Sequence, residues 1–352
     1  MSFLGRIPAD AAALRERMEL LTWQNANGHR GDTYGELGTD ARRAIDLRAE
    51  LMRREAYDAA ASRALGRTAT AQATLQRLAD IAEEFMQEAV TLSGGEAARV
   101  GTVAAAARAA LEEVAGLLNA THAGEYIFGG SDTATPPVKD AQGIAGSAMA
   151  ARIATAVAGL GGGNAAAVLA ETAAAATDTS AAGSVFSGFL EDPAEGGGEA
   201  RRSLLVGDGE VVAYGLFANR NAAAVSEGDA TVGAWSRDLL RSLATLAALT
   251  PAQAAEGVDY QALLETVRDG LRSAHDALGE EAGALGQVEA RLEQSRSQHG
   301  TLTAALTRQL GEAEEVDFAS VLTELQELQA QLEASYRAIA MLSGLTLTQF
   351  LR

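Results

Sequence analysis

Any chemistry in this chain has to come from four histidines, one lysine, scattered serines and a surplus of carboxylates. His29, His122, His275 and His299 are far apart and form no H-E-x-x-H or similar pair that would set two imidazoles on one helical face for a metal. Cysteine is absent, which excludes disulfides, thiolate zinc sites and cysteine nucleophiles. The stretch GLGGGN, residues 159–164, lacks the third glycine of a dinucleotide fingerprint and has no acidic residue placed after a following strand to hold a ribose. Lys139 follows Val138, whereas a Walker loop needs lysine directly after its last glycine. No G-x-S-x-G surrounds Ser147, Ser184 or Ser187. Glu280–Glu281 and Glu314–Glu315 are the kind of helical carboxylate pair that is ordinarily a solvated face. The reading is of a chain that is not an enzyme, with no catalytic residue, no cofactor and no metal.

The elements that would have to position any site are mostly helical. Apolar residues at 47% can supply a core, while aromatics at 5% and abundant alanine favour helices packed closely side by side. A net charge of −19 repels phosphate backbones and anionic lipid surfaces, so neither nucleic acid nor membrane is expected as a partner. The opening MSFLGRIPADAAALRERMELL has no apolar core of a leader, and no later stretch is apolar enough to span a bilayer. Neither a cleaved signal peptide nor a membrane span is expected.

Apolar spacing carries the most specific information. Ile7, Ala11, Leu14, Met18 and Leu21 alternate steps of four and three, the repeat that keeps a helical seam on one partner. Leu75, Leu78, Ala82, Phe85, Ala89 and Leu92 do the same, as do Val100, Val103, Ala107, Ala110, Val114 and Leu117. A longer run passes from Leu264 through Val267, Leu271, Ala274, Leu278, Leu285, Val288 and Leu292 to Leu302 and Leu306, with Glu281, Ser295 and His299 as polar interruptions. The last is Phe318, Val321, Leu325, Leu328, Leu332, Ser335, Ile339 and Leu342, flanked by Leu322, Tyr336, Ala340 and Met341 and followed by Leu345, Leu347, Phe350 and Leu351. The outer segments thus hold more apolar surface than one partner can cover. A first helix of roughly residues 8–27 would be only partly formed without a mate.

Between the helical ends, from Lys139 to about Thr231, the chain is rich in glycine and alanine and shows no sustained seam. Two apolar runs around Gly207-Asp208-Gly209 predict a hairpin, with β structure confined to this insert. Helix resumes after Trp235, with Ser236 as the expected N-cap and Pro251 beyond its end. In YIFGGSDTATPP, Gly129 and Gly130 are expected to end the helix begun near Glu96, and Pro136 and Pro137 to hold the exit extended. The fold class is mainly α: long antiparallel helices in a coiled-coil-like bundle formed by both chain ends, with a small Gly/Ala-rich insert containing a β-hairpin. The expected domains are a terminal coiled-coil region for assembly (1–37 and 313–352), a helical bundle (38–138 and 232–312) and an inserted domain (139–231).

The block LLNATHAGEYIFGGSDTATPPV resembles the flagellar hook-filament junction proteins (hook-associated protein 3) of the flagellin family, through Asn119, Gly124, Tyr126, Phe128, Gly130, Thr135, Pro136 and Pro137. The carboxyl end, VDFASVLTELQELQAQLEASYRAIAMLSGLTLTQFLR, is similar to that family's closing helix in its Gln-rich seam, its Ser335–Tyr336 pair and its Leu-rich tail. The family's usual amino-terminal block is only loosely matched by residues 27–51.

The resemblance implies a structural subunit of the bacterial flagellum, exported without a cleaved leader and polymerising through its ends. Its implied partners are other copies of itself in a ring, flagellin, the first hook-associated junction protein and a flagellar export chaperone. Flagellin itself is the alternative within the family; outside it, the alternative is a secreted coiled-coil binding protein that does not polymerise. The expected assembly residues are Ile7, Leu14, Met18, Leu21, Phe318, Val321, Leu325, Leu328, Leu332, Tyr336, Ile339, Leu342, Leu345, Leu347 and Phe350.

Overall fold

The computed structural model describes residues 3–350, and side chains for residues 10–341 with Ala97 excepted. The elements in chain order are α1 (Phe3–Asn27), α2 (Ala41–Ser93), α3 (Val100–Leu118), β1 (Thr121–His122), β2 (Glu125–Tyr126), α4 (Ala148–Ala158), α5 (Ala165–Ala176), α6 (Gly188–Glu191), β3 (Ser203–Gly207), β4 (Glu210–Ala213), α7 (Trp235–Ala247), α8 (Val258–Glu314) and α9 (Phe318–Phe350). The fold is mainly α, with long antiparallel helices and two short hairpins. It divides into two compact units, one of residues 57–297 and one of residues 1–56 with 298–352.

The larger unit holds the core. Its part of α2 runs antiparallel to its part of α8: Gln261 donates to the Ser93 carbonyl, Gln72 to the Ala282 carbonyl, and Arg296 pairs with Asp58 at 3.1 Å. The seams read from spacing are what these helices bury. Leu75, Leu78, Ala82, Phe85, Ala89 and Leu92 of α2 are inside, as are Leu264, Leu271, Leu278 and Leu292 of α8. Residues from the Gly/Ala-rich stretch, including Ile153, Val157, Phe186 and Leu190, join the same core cluster.

Helix α7 is the centre. All thirteen of its residues are buried, including Arg237, Asp238 and Arg241. Ser236, expected as its N-cap, lies inside the helix with no exposure, and Ala234 caps without a side-chain bond. Asp238 instead binds the entering chain, accepting from the Val232 N–H at 2.8 Å and the Thr231 hydroxyl at 2.5 Å.

Three further expectations are corrected. The hairpin at residues 203–213 forms around the anticipated turn, but β structure is not confined to the insert, since β1 and β2 form a second antiparallel hairpin before it. Its turn, Ala123-Gly124, has both φ angles positive, at 51° and 83°, as a two-residue hairpin turn requires. That hairpin also means Gly129 and Gly130 do not end α3, which stops at Leu118 with Asn119 as its C-cap. In α8 the long seam holds to Leu292, whereas Leu302, expected on it, is 45% exposed.

Candidate assembly surface

In the smaller unit α1 and α9 lie against each other. Their junction is fixed by main-chain bonds. The Val316 N–H donates to the Gly28 carbonyl at 3.0 Å, the Arg30 N–H donates to the Glu314 carbonyl at 2.8 Å, and His29 bridges Glu315 in antiparallel sense. Asp317 caps α9 by accepting from the Ala319 N–H. Arg48 closes the corner with a two-pronged bond to Glu314, at 2.8 and 2.7 Å, and Glu314 is buried although it belongs to a carboxylate pair. Farther along, Arg17 meets Glu324 and Arg15 binds the Tyr336 hydroxyl while lying over its ring. The first helix therefore has a mate.

The pairing buries one stripe and leaves others wet. Ala11, Leu21 and Val321 are buried; Leu14, Met18, Leu325, Leu328, Leu332, Ser335 and Ile339 are half-buried. Phe318 and Tyr336, expected at the interface, are exposed, as are Leu322 and Met341. Ile7, Leu342, Leu345, Leu347 and Phe350 lie outside the residues whose side chains are described. Of the fourteen large hydrophobic side chains that are exposed among the described residues, nine belong to this smaller unit: Leu20, Tyr34, Ile45, Met52, Leu302, Phe318, Leu322, Tyr336 and Met341. The continuous core cluster, by contrast, is made wholly of residues between Ala61 and Leu292. Two helices in contact can bury only the facing stripe of each, which is why α1 and α9 keep Leu20, Phe318, Leu322, Tyr336 and Met341 in water.

The 119–138 block does a different job within the larger unit. Asn119 reaches across to Val138 with its whole amide, accepting from the Val138 N–H at 2.8 Å and donating to the Val138 carbonyl at 2.9 Å. It thereby joins the end of α3 to the exit from the proline pair. Between these points the Ile127 N–H bonds the Ala120 carbonyl, and the Ala218 N–H bonds the Phe128 carbonyl. Phe128 is fully buried, edge-on to Trp235 at 6.5 Å, while Tyr126 is half-buried. The prolines lack N–H groups and leave no donor unmet, while the Pro137 carbonyl accepts from Ser187 at 2.8 Å. Gly130 has φ +65°, and a β-carbon there would stand 1.9 Å from a Glu199 carboxylate oxygen. Asp132 accepts from the Ala134 and Thr135 N–H groups. Burial by itself would raise the Asp132 carboxyl, but the Thr135 hydroxyl and these two N–H groups outweigh it and hold it below the usual range.

Sequence reasoning missed the buried charges that hold these pieces together. Arg67 donates to the Tyr126 and Ile127 carbonyls and pairs with Glu125 at 3.2 Å. Arg237 makes a buried ion pair with Glu191 at 2.6 Å and also holds the Asn219 and Ala176 carbonyls. Neither has a signature, because an arginine in a helical stretch reads as a solvated position whether or not the helix is central. The polar interruptions of α8 were visible and are buried. The Glu281 carboxylate accepts from the N–H groups of Ala222, Ala223 and Ala224, and the Ser295 hydroxyl donates to the Val206 carbonyl. The histidines stay apart: His122 bonds Thr70, His275 sits by Asp276, and His299 is buried in α8. Among the described residues no three metal-ligating side chains converge, and no helix is long and apolar enough to cross a membrane.

The stretch that holds the half-covered helix is also the one with a known relative. Residues 269–351 match the bacterial flagellin C-terminal helical region. The match takes in most of α8 and α9, and over that stretch the chain is similar to the flagellin family. It does not reach residues 119–137, whose likeness to the family rests on the residues themselves. Comparison with curated proteins gave no match.

Proposed function

We propose that this chain is a structural subunit of the bacterial flagellum that polymerises through its paired terminal helices and sits at the hook-filament junction. The observation that carries this reading is the contrast between the two units: one with a closed apolar core, the other with nine large hydrophobic side chains in water on and around a two-helix pair. Full burial of such a side chain is worth about 1.5–3 kcal/mol, so Phe318 at 55%, Leu322 at 50% and Met341 at 69% exposure each retain roughly half of that for a partner. The flagellin match supports the flagellar part. Preference for the junction over the filament rests on the Tyr126–Pro137 block and the closing residues LTQFLR. On this reading the chain is exported to the extracellular flagellum. Its neighbours are copies of itself, flagellin and the first junction protein, and an export chaperone escorts it.

Light scattering on the purified chain tests assembly. Phe318→Ser, Leu322→Ser and Met341→Ser together should abolish concentration-dependent growth while leaving Trp235 fluorescence native. Unchanged growth in the triple variant would remove the terminal pair from the mechanism. Labelling of sheared flagella separates the two positions: a single band beside the hook supports the junction, and label along the filament supports flagellin.

A further inference from the structure

The larger unit carries a cationic recess in a chain whose net charge is −19. It is lined by Arg63, Arg67, His122, Glu125, Arg202 and Tyr214, between one side of α2 and the two hairpins. Arg67 is committed to the Tyr126 and Ile127 carbonyls, and the same Glu125 oxygen serves Arg67 at 3.2 Å and Arg202 at 2.9 Å. Two guanidinium groups thus share one carboxylate, and Arg63, which lines the same recess, forms no ion pair among the described residues. Burial, and then the charge of Arg202, hold the Arg67 guanidinium below its ordinary range, so the recess has an unmet demand for negative charge.

The same unit carries the complement elsewhere. The loop Val225–Asp229 is lined up with α5 and α8, away from the recess residues. Glu227 and Asp229 are exposed on it and form no ion pair among the described residues, and Val225 is 64% exposed beside them. We propose that the arginine recess receives the acidic loop of a second copy of this chain, with Glu227 and Asp229 facing Arg63 and Arg202. Two different patches meeting in this way make a head-to-tail contact, which propagates into a ring or a filament. The idea rests on the polymerising subunit proposed above, and it adds a contact made by the larger unit.

Absence of cysteine makes the test direct. Full-length Ala123→Cys and Ser226→Cys chains, mixed at an assembling concentration and oxidised, should give a mixed disulfide dimer that neither forms alone. Arg63→Glu in the Ala123→Cys chain should lower its yield about fivefold, the worth of a favourable exposed ion pair. Glu227→Arg in the Ser226→Cys partner should recover it. Assembly by light scattering without the mixed dimer would overturn the contact and leave the terminal-helix reading standing; absence of both would overturn the two together. Saturable binding of inorganic phosphate that depends on Arg63, with no mixed dimer, would assign the recess to a free oxyanion and also overturn the proposal.

Discussion

Replacing Asn119 isolates the clip that joins the end of α3 to the proline exit. Its amide serves both polar groups of Val138, at 2.8 and 2.9 Å, and Val138 is 1% exposed. Asn119→Ala leaves a buried N–H and a buried carbonyl without that partner. A buried group left unpaired costs about 1–3 kcal/mol, and Asn119 is itself only half-buried, so water can reach part of the gap. The expected loss is about 2–4 kcal/mol. Asn119→Asp is the sharper variant: it keeps the acceptor for the Val138 N–H but turns a carboxylate oxygen toward the Val138 carbonyl, so at neutral pH it should cost at least as much as alanine. The carbonyl disfavours the ionised form, which raises the folded-state pKa of the new carboxyl. The protonated acid can donate, so the Asn119→Asp penalty is relieved below the unfolded carboxylate pKa near 4 and grows as pH rises through the folded value. Urea unfolding followed by Trp235 fluorescence in a Trp23→Phe background reads the larger unit alone, because these are the only tryptophans. An Asn119→Ala midpoint within about 0.5 kcal/mol of the parent would show that the amide contacts are incidental, and an Asn119→Asp penalty independent of pH would refute the donor argument.

The buried Arg237–Glu191 pair should behave asymmetrically. Glu191→Ala leaves the guanidinium uncompensated and is expected to cost about 3–5 kcal/mol, while Glu191→Met with Arg237→Met costs less than either single change; a double-mutant cycle by urea denaturation measures the difference, and strict additivity would contradict it. Burial raises the Asp238 carboxyl above the usual range, against the Thr231 hydroxyl, the Val232 N–H and the Arg241 charge, which lower it. A raised folded pKa gives stability that is full below the unfolded value and is lost as pH climbs through the folded one. Asp238→Asn should therefore remove a loss of stability that opens near pH 4, and parallel pH profiles for the two proteins would refute this. Gly130→Ala should cost about 1–2 kcal/mol by unfolding, from left-handed strain and the clash with Glu199; adding Glu199→Ala should return only the clash. Full recovery in that double variant would mean the backbone conformation carries no cost.

What could be read from residue order is what repeats. The four-and-three spacing of Leu75 to Leu92 and of Leu264 to Leu292 marked the buried stripes, since a helix facing a partner must keep the same side apolar along its length. The hairpin at Gly207-Asp208-Gly209 was legible because its turn residues are those that adopt the required angles cheaply. The Ala123-Gly124 turn was not, because alanine at positive φ is no turn signal and the two-residue strands are too short to alternate. α7 deceived for another reason. Its arginines and aspartate follow the polar stripe of a surface helix, and only the tertiary arrangement brings Glu191, Thr172 and main-chain carbonyls to them. For the α1–α9 pair, the seam was legible and so was the apolar excess beside it. Which residues stay wet was settled by the α1–α9 pairing, which half-covers Leu325 and Leu332 and leaves Leu322 and Met341 out.

On the reading proposed above, the two kinds of exposed surface divide the labour of assembly between them. Apolar side chains on the terminal pair supply an affinity that does not depend on direction, since removing area from water is nearly indifferent to the angle of approach. Such a surface alone would let copies associate in several registers. Charged patches have the opposite character: an exposed ion pair contributes little energy, but mispairing like charges is penalised and the register is thereby selected. In this chain most of the exposed large hydrophobic side chains among the described residues lie on the smaller unit, while the uncommitted charges of Arg63, Glu227 and Asp229 lie on the unit with the closed core. A rigid core is what a register-setting contact needs, because a recess held by Arg67 and the clip at Asn119 keeps its geometry before any partner arrives.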